Sequence, residues 1–129
     1  MTFDECYEQV ILPAFDCLTV EYGQMEYEVK VFPRGDQYIF SVSGSIKNQP
    51  FMFQIIILDT HAEDGWLLVY REASYTSIGQ LGRVVSYKNI RACAAEDLPR
   101  DFIESIAHKM YEALLRKSED RELAHYFKV

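Results

Sequence analysis

The residues best suited to chemistry stand close together in the segment DTHAED, at positions 59–64. His61 and Glu63 reproduce the His-x-Glu half of the zinc deaminase pattern, in which the His binds zinc and the Glu transfers a proton. The other half, Pro-Cys-x-x-Cys, is missing, because Cys93 stands alone in RACAAEDLP. The sequence therefore argues against this zinc chemistry.

The same segment offers a second way to hold a metal ion. Carboxylate oxygens and an imidazole are common metal ligands. The segment carries four such side chains: Asp59, His61, Glu63 and Asp64. A polar hairpin turn accounts for them better, since Asp and other polar residues favour turns between strands. We predict a turn here, with no metal site and no cofactor.

No arrangement for nucleophilic catalysis is evident. Cys93 would need His61 or His108 beside it, a proximity that only the fold can provide. His108 follows Glu104 by four residues and is expected on the polar side of a helix. The segment GQLG, at 79–82, falls far short of a glycine-rich phosphate loop. We predict a protein that is not an enzyme and has no catalytic residues.

The negative charge is concentrated near the N-terminus. The chain has a formal net charge of −7, and residues 1–32 carry seven acids against Lys30 alone. Such a chain repels nucleic acid and anionic membranes, so neither is expected as a partner. Three interpretations of this segment stay open: it meets a basic protein, with Glu21, Glu26 and Glu28 contributing to binding; it imitates nucleic acid; or it is a solvated acidic helix face.

Length and cysteine content bound the class of protein. With 129 residues, the chain is expected to form a single domain, 1–129. It shows no secretory signal and no apolar run of the roughly 20 residues that a membrane helix needs. On one helix, Cys6 and Cys17 would lie roughly 16 Å apart, too far for a disulfide. With Cys93 the count is odd, so we predict three thiols, buried as small apolar residues, in the cytoplasm.

The first segment is predicted to be helical. Thr2 and Glu5 form a capping-box pattern at its start, and Gly23 ends it. Pro13 lies inside the pattern and predicts a kink or a break near residue 12. The apolar stripe expected to face the core comprises Cys6, Val10, Ala14, Cys17 and Leu18.

Five strands are predicted next. They are MEYEVKVF (25–32), QYIFSVSG (37–44), FMFQIIIL (51–58), WLLVYRE (66–72) and RVVSYKNI (83–90). The first two alternate between apolar and polar residues and are expected to be half-buried. The third and fourth are apolar on both faces, which indicates that both faces of the sheet are covered there.

The last third is predicted to be helical again. Asp97 is the expected cap, and Pro99 is tolerated in the first turn. The core stripe comprises Phe102, Ile103, Ile106, Met110 and Leu114. Glu112 and Arg116 are a favourable pair at a spacing of four. Ser118 is expected to cap a short final helix that buries Leu123, Tyr126 and Phe127.

These elements predict an α+β fold. Short connections between successive strands indicate a five-stranded antiparallel meander, flanked in a two-layer arrangement by an N-terminal helix and a long C-terminal helix plus a short tail helix. Two helices, each about 10 Å across, are enough to cover one face of a sheet roughly 20 Å wide.

The second face of strands three and four then needs cover. We expect it to comprise Met52, Gln54, Ile56 and Leu58, with Leu67 and Val69 beside them, and to make a homodimer or protein-partner contact, because apolar patches of this size are rarely left to water. The alternative is that the tail helix folds back over this patch.

The sequence thus favours a small acidic, non-enzymatic protein-binding module. Its order of elements is similar to that of secretion chaperones and of bacterial or phage inhibitor and immunity proteins, a likeness of architecture alone. The alternative is a small-ligand-binding α+β domain with an aromatic pocket between sheet and helices, lined by Tyr38, Trp66 and Tyr87.

Overall fold

The computed structural model describes residues 1–75, 83–84 and 88–119, and it confirms the predicted α+β fold. The strands are β1 (Glu28–Arg34), β2 (Gln37–Ile46), β3 (Gln49–Asp59), β4 (Leu67–Tyr75), β5 (Arg83–Val84) and β6 (Lys88–Cys93). The order is β1-β2-β3-β4, and all pairs are antiparallel. Both β5 and β6 pair with β4, so together they fill the fifth position of the predicted meander.

The connection between β2 and β3 is a tight turn of two residues. Lys47 and Asn48 lie between the two strands with φ of 52° and 65°. Positive φ at both central residues is typical of the turns whose twist matches that of paired strands. This turn sets the register in which Ile39 pairs with Ile56.

The N-terminal helix is continuous through Pro13. It comprises α1 (Phe3–Cys6), a π-helical turn (Tyr7–Ile11) and α2 (Leu12–Gln24). The predicted capping box is present at Thr2 and Glu5. The amide of Leu12 donates to the carbonyl of Tyr7, one residue beyond the usual helical spacing. The wider turn lies directly before Pro13 and takes the place of the expected break.

The π-helical turn also moves the buried stripe. Cys6, Ala14 and Leu18 are buried as predicted, but Cys17 is exposed and Val10 is only half-buried. An extra residue in one turn rotates everything after it, so the buried side chains are Ile11 at the end of the turn and, beyond it, residues that include Phe15 and Tyr22. The prediction that Cys17 is a core residue is therefore wrong.

The C-terminal helix, α3 (Phe102–Glu119), begins later than predicted. Asp97 ends a 3-10 turn (Ala95–Asp97) and does not cap α3. Pro99 explains the delay, because a proline disfavours helical backbone at the residue before it, and Leu98 is extended. The predicted ion pair of Glu112 with Arg116 is present at 3.9 Å.

The apolar stripe of α3 is confirmed. Ile103, Ile106, Met110 and Leu114 are buried, and Phe102 is half-buried. Backbone of α3 continues through Ser118, so this residue does not begin a separate helix. Leu123, Tyr126 and Phe127, expected in the tail helix, lie outside the described residues.

Both long helices pack on one face of the sheet, α3 through the ring of Tyr111, whose centroid lies 6.5 Å from that of Phe51 in β3. Phe15 of α2 stacks on Phe40 of β2 with ring centroids 5.5 Å apart. Tyr22 of α2 meets Phe53 of β3 edge to face at 5.4 Å. Burying each such side chain contributes about 1.5–3 kcal/mol relative to an exposed one.

Among the helices of the described ranges, none is long and apolar enough to cross a membrane.

Candidate functional site

The sheet has a face directed away from the helices, here called the outer face. Successive side chains of a strand point to opposite faces. Phe53 contacts α2, so Met52, Gln54, Ile56 and Leu58 lie on the outer face, as predicted. Ile56 is 2% exposed, and the other three are half-buried.

Leu67 and Val69 do not lie on the outer face, and this part of the prediction is wrong. Val69 pairs with Ile57, and Leu67 pairs with Asp59, so both share the helix-facing side of β3. Both are fully buried in the main core. The loop 60–66 sets this register, and a shift of one residue exchanges the faces of a whole strand. Leu68 and Tyr70 occupy the outer face instead.

The outer face carries a contiguous set of apolar side chains, here called the apolar band. One row across four strands is Phe32, Ile39, Ile56 and Tyr70; in the next row, Leu58 lies beside Leu68. Ile39 and Ile56 are only 1% and 2% exposed and form the floor of the band. The other four are partly exposed.

A polar row borders the apolar band. It crosses the same four strands and comprises Lys30, Ser41, Gln54 and Glu72, here called the polar row. The Nε2 of Gln54 donates to the Oγ of Ser41 at 3.4 Å. Lys30 forms an ion pair with Glu28 at 3.1 Å on the same strand, and both side chains are about two-thirds exposed. The row therefore has a cation at one end and an anion at the other.

The segment 59–64 forms the end of β3 and part of the loop before β4, as the turn prediction requires. The Nε2 of His61 lies 2.7 Å from Oδ1 of Asp36, in the turn between β1 and β2. The Nδ1 of His61 lies 3.5 Å from Oδ2 of Asp59. The hydrogen bond to Asp36, with the negative charge of Asp59, raises the pKa of His61 above its ordinary value. His61 therefore links the turn between β1 and β2 to the loop between β3 and β4 at this end of the sheet.

The remaining contacts of this loop are structural. The Oδ1 of Asp64 accepts from the backbone amide of Trp66 at 3.1 Å, and Glu63 is exposed. Gly65 has a φ of +70°, and a Cβ there would lie 2.7 Å from the Cβ of Ala95. Glycine is required here, because both the positive φ and the short distance to Ala95 exclude a Cβ atom. Over residues 1–75, 83–84 and 88–119, no group of three or more His, Cys, Asp or Glu side chains is arranged to hold a metal ion.

The three acids expected to bind a partner differ in their surroundings. Glu21 accepts from the Nε2 of His108 at 2.8 Å, a contact that joins α2 to α3. His108 is exposed on the polar side of α3, as expected, and in addition pairs across the two helices. Glu28 pairs with Lys30, and Glu26 is exposed at the end of α2 with a φ of 67°.

The three cysteines are free thiols. Cys6 and Cys93 are buried, and Cys17 is exposed on α2. Burial, with the proximity of Cys93, raises the pKa of Cys6 to about 11. A thiol with so high a pKa is a poor nucleophile near neutral pH.

The structure describes two of the three residues named for the expected aromatic pocket, Tyr38 and Trp66. Tyr38 packs against Tyr7 and Phe3, with ring centroids at 4.6 and 5.3 Å. Trp66 is 40% exposed in the loop before β4, and Tyr87 lies outside the described residues.

A different aromatic cluster lies between the sheet and the helices. The hydroxyls of Tyr27 and Tyr111 are 2.8 Å apart, and the ring of Tyr27 meets Phe51 at 5.0 Å. Tyr22 packs against Tyr111, but its buried hydroxyl has no hydrogen-bond partner among the described residues. Burial raises the pKa of Tyr22 and of Tyr111. Sequence reasoning missed this cluster, and its signal was the recurrence of Tyr at positions that face the core.

Comparisons with family models, curated proteins and solved structures return no match to this chain. The functional interpretation therefore rests on the geometry of the chain itself.

Proposed function

We propose that this chain is a non-enzymatic protein-binding module, of the chaperone, inhibitor or immunity type, that binds protein through its outer face. One observation carries the proposal. Phe32, Leu58, Leu68 and Tyr70 form a partly exposed apolar rim around a buried floor, while α2 and α3 both lie on the opposite face. Contiguous apolar surface of this kind marks interaction sites.

The composition of the outer face supports a protein as the ligand. Aromatic and aliphatic side chains at the centre of a patch, with polar side chains at its border, are the usual anatomy of a protein interface. Tyr70 and Phe32 supply the aromatic anchors. The polar row beside them offers hydrogen-bonding and charged groups that fix the orientation of a partner.

A small-ligand function has less support. Such sites are concave and converge on a few polar groups. Tyr38, one residue of the expected pocket, packs against Phe3 and Tyr7. A cytoplasmic location belongs to the proposal, because three free thiols suit a reducing compartment.

The proposal is tested with two matched substitutions on opposite sides of the molecule. Leu68→Glu places a charge on the outer face, and Val20→Glu places the same charge on α2, where Val20 is 59% exposed. Tagged wild-type chain and both variants are used to isolate partners from the cells that make the protein. The expected partner is retained by wild type and Val20→Glu and lost by folded Leu68→Glu.

A captured protein counts only when its purified form reproduces this pattern. Equal binding to folded Leu68→Glu and wild type would place the partner on another surface and overturn the proposal.

A further inference from the structure

We propose that the outer face binds a second copy of this chain, face to face, about a twofold axis that runs parallel to the strands between β2 and β3. The inference rests on the proposed function for its surface and names the partner. Two rows of the outer face support it: the apolar row Phe32, Ile39, Ile56 and Tyr70, and the polar row Lys30, Ser41, Gln54 and Glu72.

Each row has one member on each of β1 to β4, so its midpoint lies between β2 and β3. A twofold rotation about an axis that runs along the strands at that midpoint generates the second copy. Each row then lies over the same row of the second copy, in the reverse order. Lys30 then faces Glu72 of the second copy, and the aromatic rings of Phe32 and Tyr70 face each other. Each of these contacts occurs twice in the dimer, once from each copy, as a twofold interface requires.

The charges select this axis over the perpendicular one. An axis that runs along the polar row, across the strands, places Lys30 over Lys30 and Glu72 over Glu72. Like charges in direct opposition disfavour a complex, and opposite charges favour it. Glu72 has no ion pair within the described part of the chain, and the partner of Lys30 is the highly exposed Glu28. Lys30 is therefore able to bind Glu72 of a second copy at little cost.

The dimensions of the two rows permit this contact. Stacked sheets lie about 10 Å apart, and aligned sheets cross at about 30°. At the outer strands of a four-strand row, such a crossing displaces facing residues by roughly 4 Å along the strand. Lys and Glu side chains are long enough to span the gap and this displacement.

The size of the face predicts a weak dimer. Four strands about 4.8 Å apart, with β1 containing seven residues, span roughly 19 by 24 Å. This flat area of roughly 450 Å² is below the about 800 Å² per partner of a standard interface. The dimer is therefore expected to form reversibly, with a population that depends on concentration.

Charge reversal tests the axis. Sedimentation equilibrium of the full chain is measured over a range of concentrations for wild type, Lys30→Glu, Glu72→Lys and the double variant. Lys109→Glu and Glu63→Lys are the controls, because they make the same charge changes on α3 and in the loop 60–66. Circular dichroism confirms that each variant is folded.

Each single reversal is expected to weaken dimerisation at least about fivefold, since every dimer contains two such contacts that change from attraction to repulsion. The double variant is expected to return to within about twofold of wild type, while both controls leave the dimer unchanged. Lack of rescue in the double variant would overturn the proposed axis and leave the outer face as the binding surface.

If the wild-type chain stays monomeric at every concentration, the proposal that a second copy is the partner is wrong. Leu68→Glu then separates this failure from failure of the proposed function. If folded Leu68→Glu keeps wild-type stability, the outer face is open and takes a different protein. If Leu68→Glu unfolds, the face is closed within the chain by a segment such as the C-terminal residues 120–129, and the proposed function fails as well.

Discussion

Ile56 of β3 lies directly opposite Tyr70 of β4 on the outer face, yet only Tyr70 is partly exposed. Ile56, at 2% exposure, belongs to the floor of the apolar band, and Tyr70 belongs to its rim. The distinction decides which substitutions report on folding and which report on binding.

Ile56→Asp is expected to destabilise the fold, because a buried unpaired carboxylate costs several kcal/mol against a total stability of about 5–15 kcal/mol. Leu68→Glu, at the rim, is expected to cost about 1 kcal/mol or less. Urea unfolding followed by circular dichroism measures both. Equal stability of Ile56→Asp and wild type would show that Ile56 is not a floor residue.

The tyrosine cluster gives a matched pair of substitutions. Tyr22→Phe removes a buried hydroxyl that has no partner among the described residues, so stability should stay the same or rise by up to about 1 kcal/mol. Tyr111→Phe removes the hydrogen bond to Tyr27 and should cost about 0.5–1.5 kcal/mol. Urea unfolding compares the two. A larger loss for Tyr22→Phe than for Tyr111→Phe would contradict this assignment.

His61 is expected to titrate above the ordinary pKa of histidine, because Asp36 and Asp59 stabilise its charged form. A pKa raised in the folded state gives stability that is fully present below the unfolded pKa and lost as the pH rises through the folded one. Proton NMR of the imidazole should show the pKa falling in Asp36→Asn. An unchanged pKa in that variant would mean that the contact is absent in solution.

The metal hypothesis has its own test in His61→Ala. If the segment 59–64 acts only as a turn, divalent metal should leave the melting temperature of both wild type and this variant unchanged. A metal that binds the native state must raise its stability. A metal-dependent rise in wild type that disappears in His61→Ala would establish a site.

The thiols should differ in reactivity. Cys17 is exposed, whereas Cys6 is buried and its pKa is raised to about 11 by burial and then by Cys93. A thiol reagent near pH 8 is therefore expected to modify Cys17 rapidly and the other two slowly. Mass spectrometry after brief labelling identifies the modified residue. Rapid modification of Cys6 would contradict its position in the core.

Local patterns predicted much of this fold. The capping box of Thr2 and Glu5 and the stripe of α3 depend on residues within a few positions of one another, and both are present. The two-residue period of a strand likewise separated Phe53 and Ile56 onto opposite faces of β3, as observed.

The predictions that were wrong concern features that residues close in sequence do not determine. The loop 60–66 sets the register of β4, and this register decides the face on which Leu67 and Val69 lie. A loop one residue longer or shorter would move both side chains to the other face. The exposure of Cys17 follows from a π-helical turn that ordinary helical spacing does not anticipate. The contact of Glu21 with His108 joins two helices that are distant in sequence. Four of the six residues expected on the outer face therefore lie there, and Leu68 and Tyr70 take the places of the other two.

The central claim, that the outer face binds protein and that a second copy is its partner, is tested most directly by methyl NMR during dilution of the wild-type chain. The methyl groups of Leu58 and Leu68 should shift with concentration, while those of Val20, exposed on α2, should stay constant. Shifts confined to Val20 and its surroundings, or no shift at any concentration, would contradict the account.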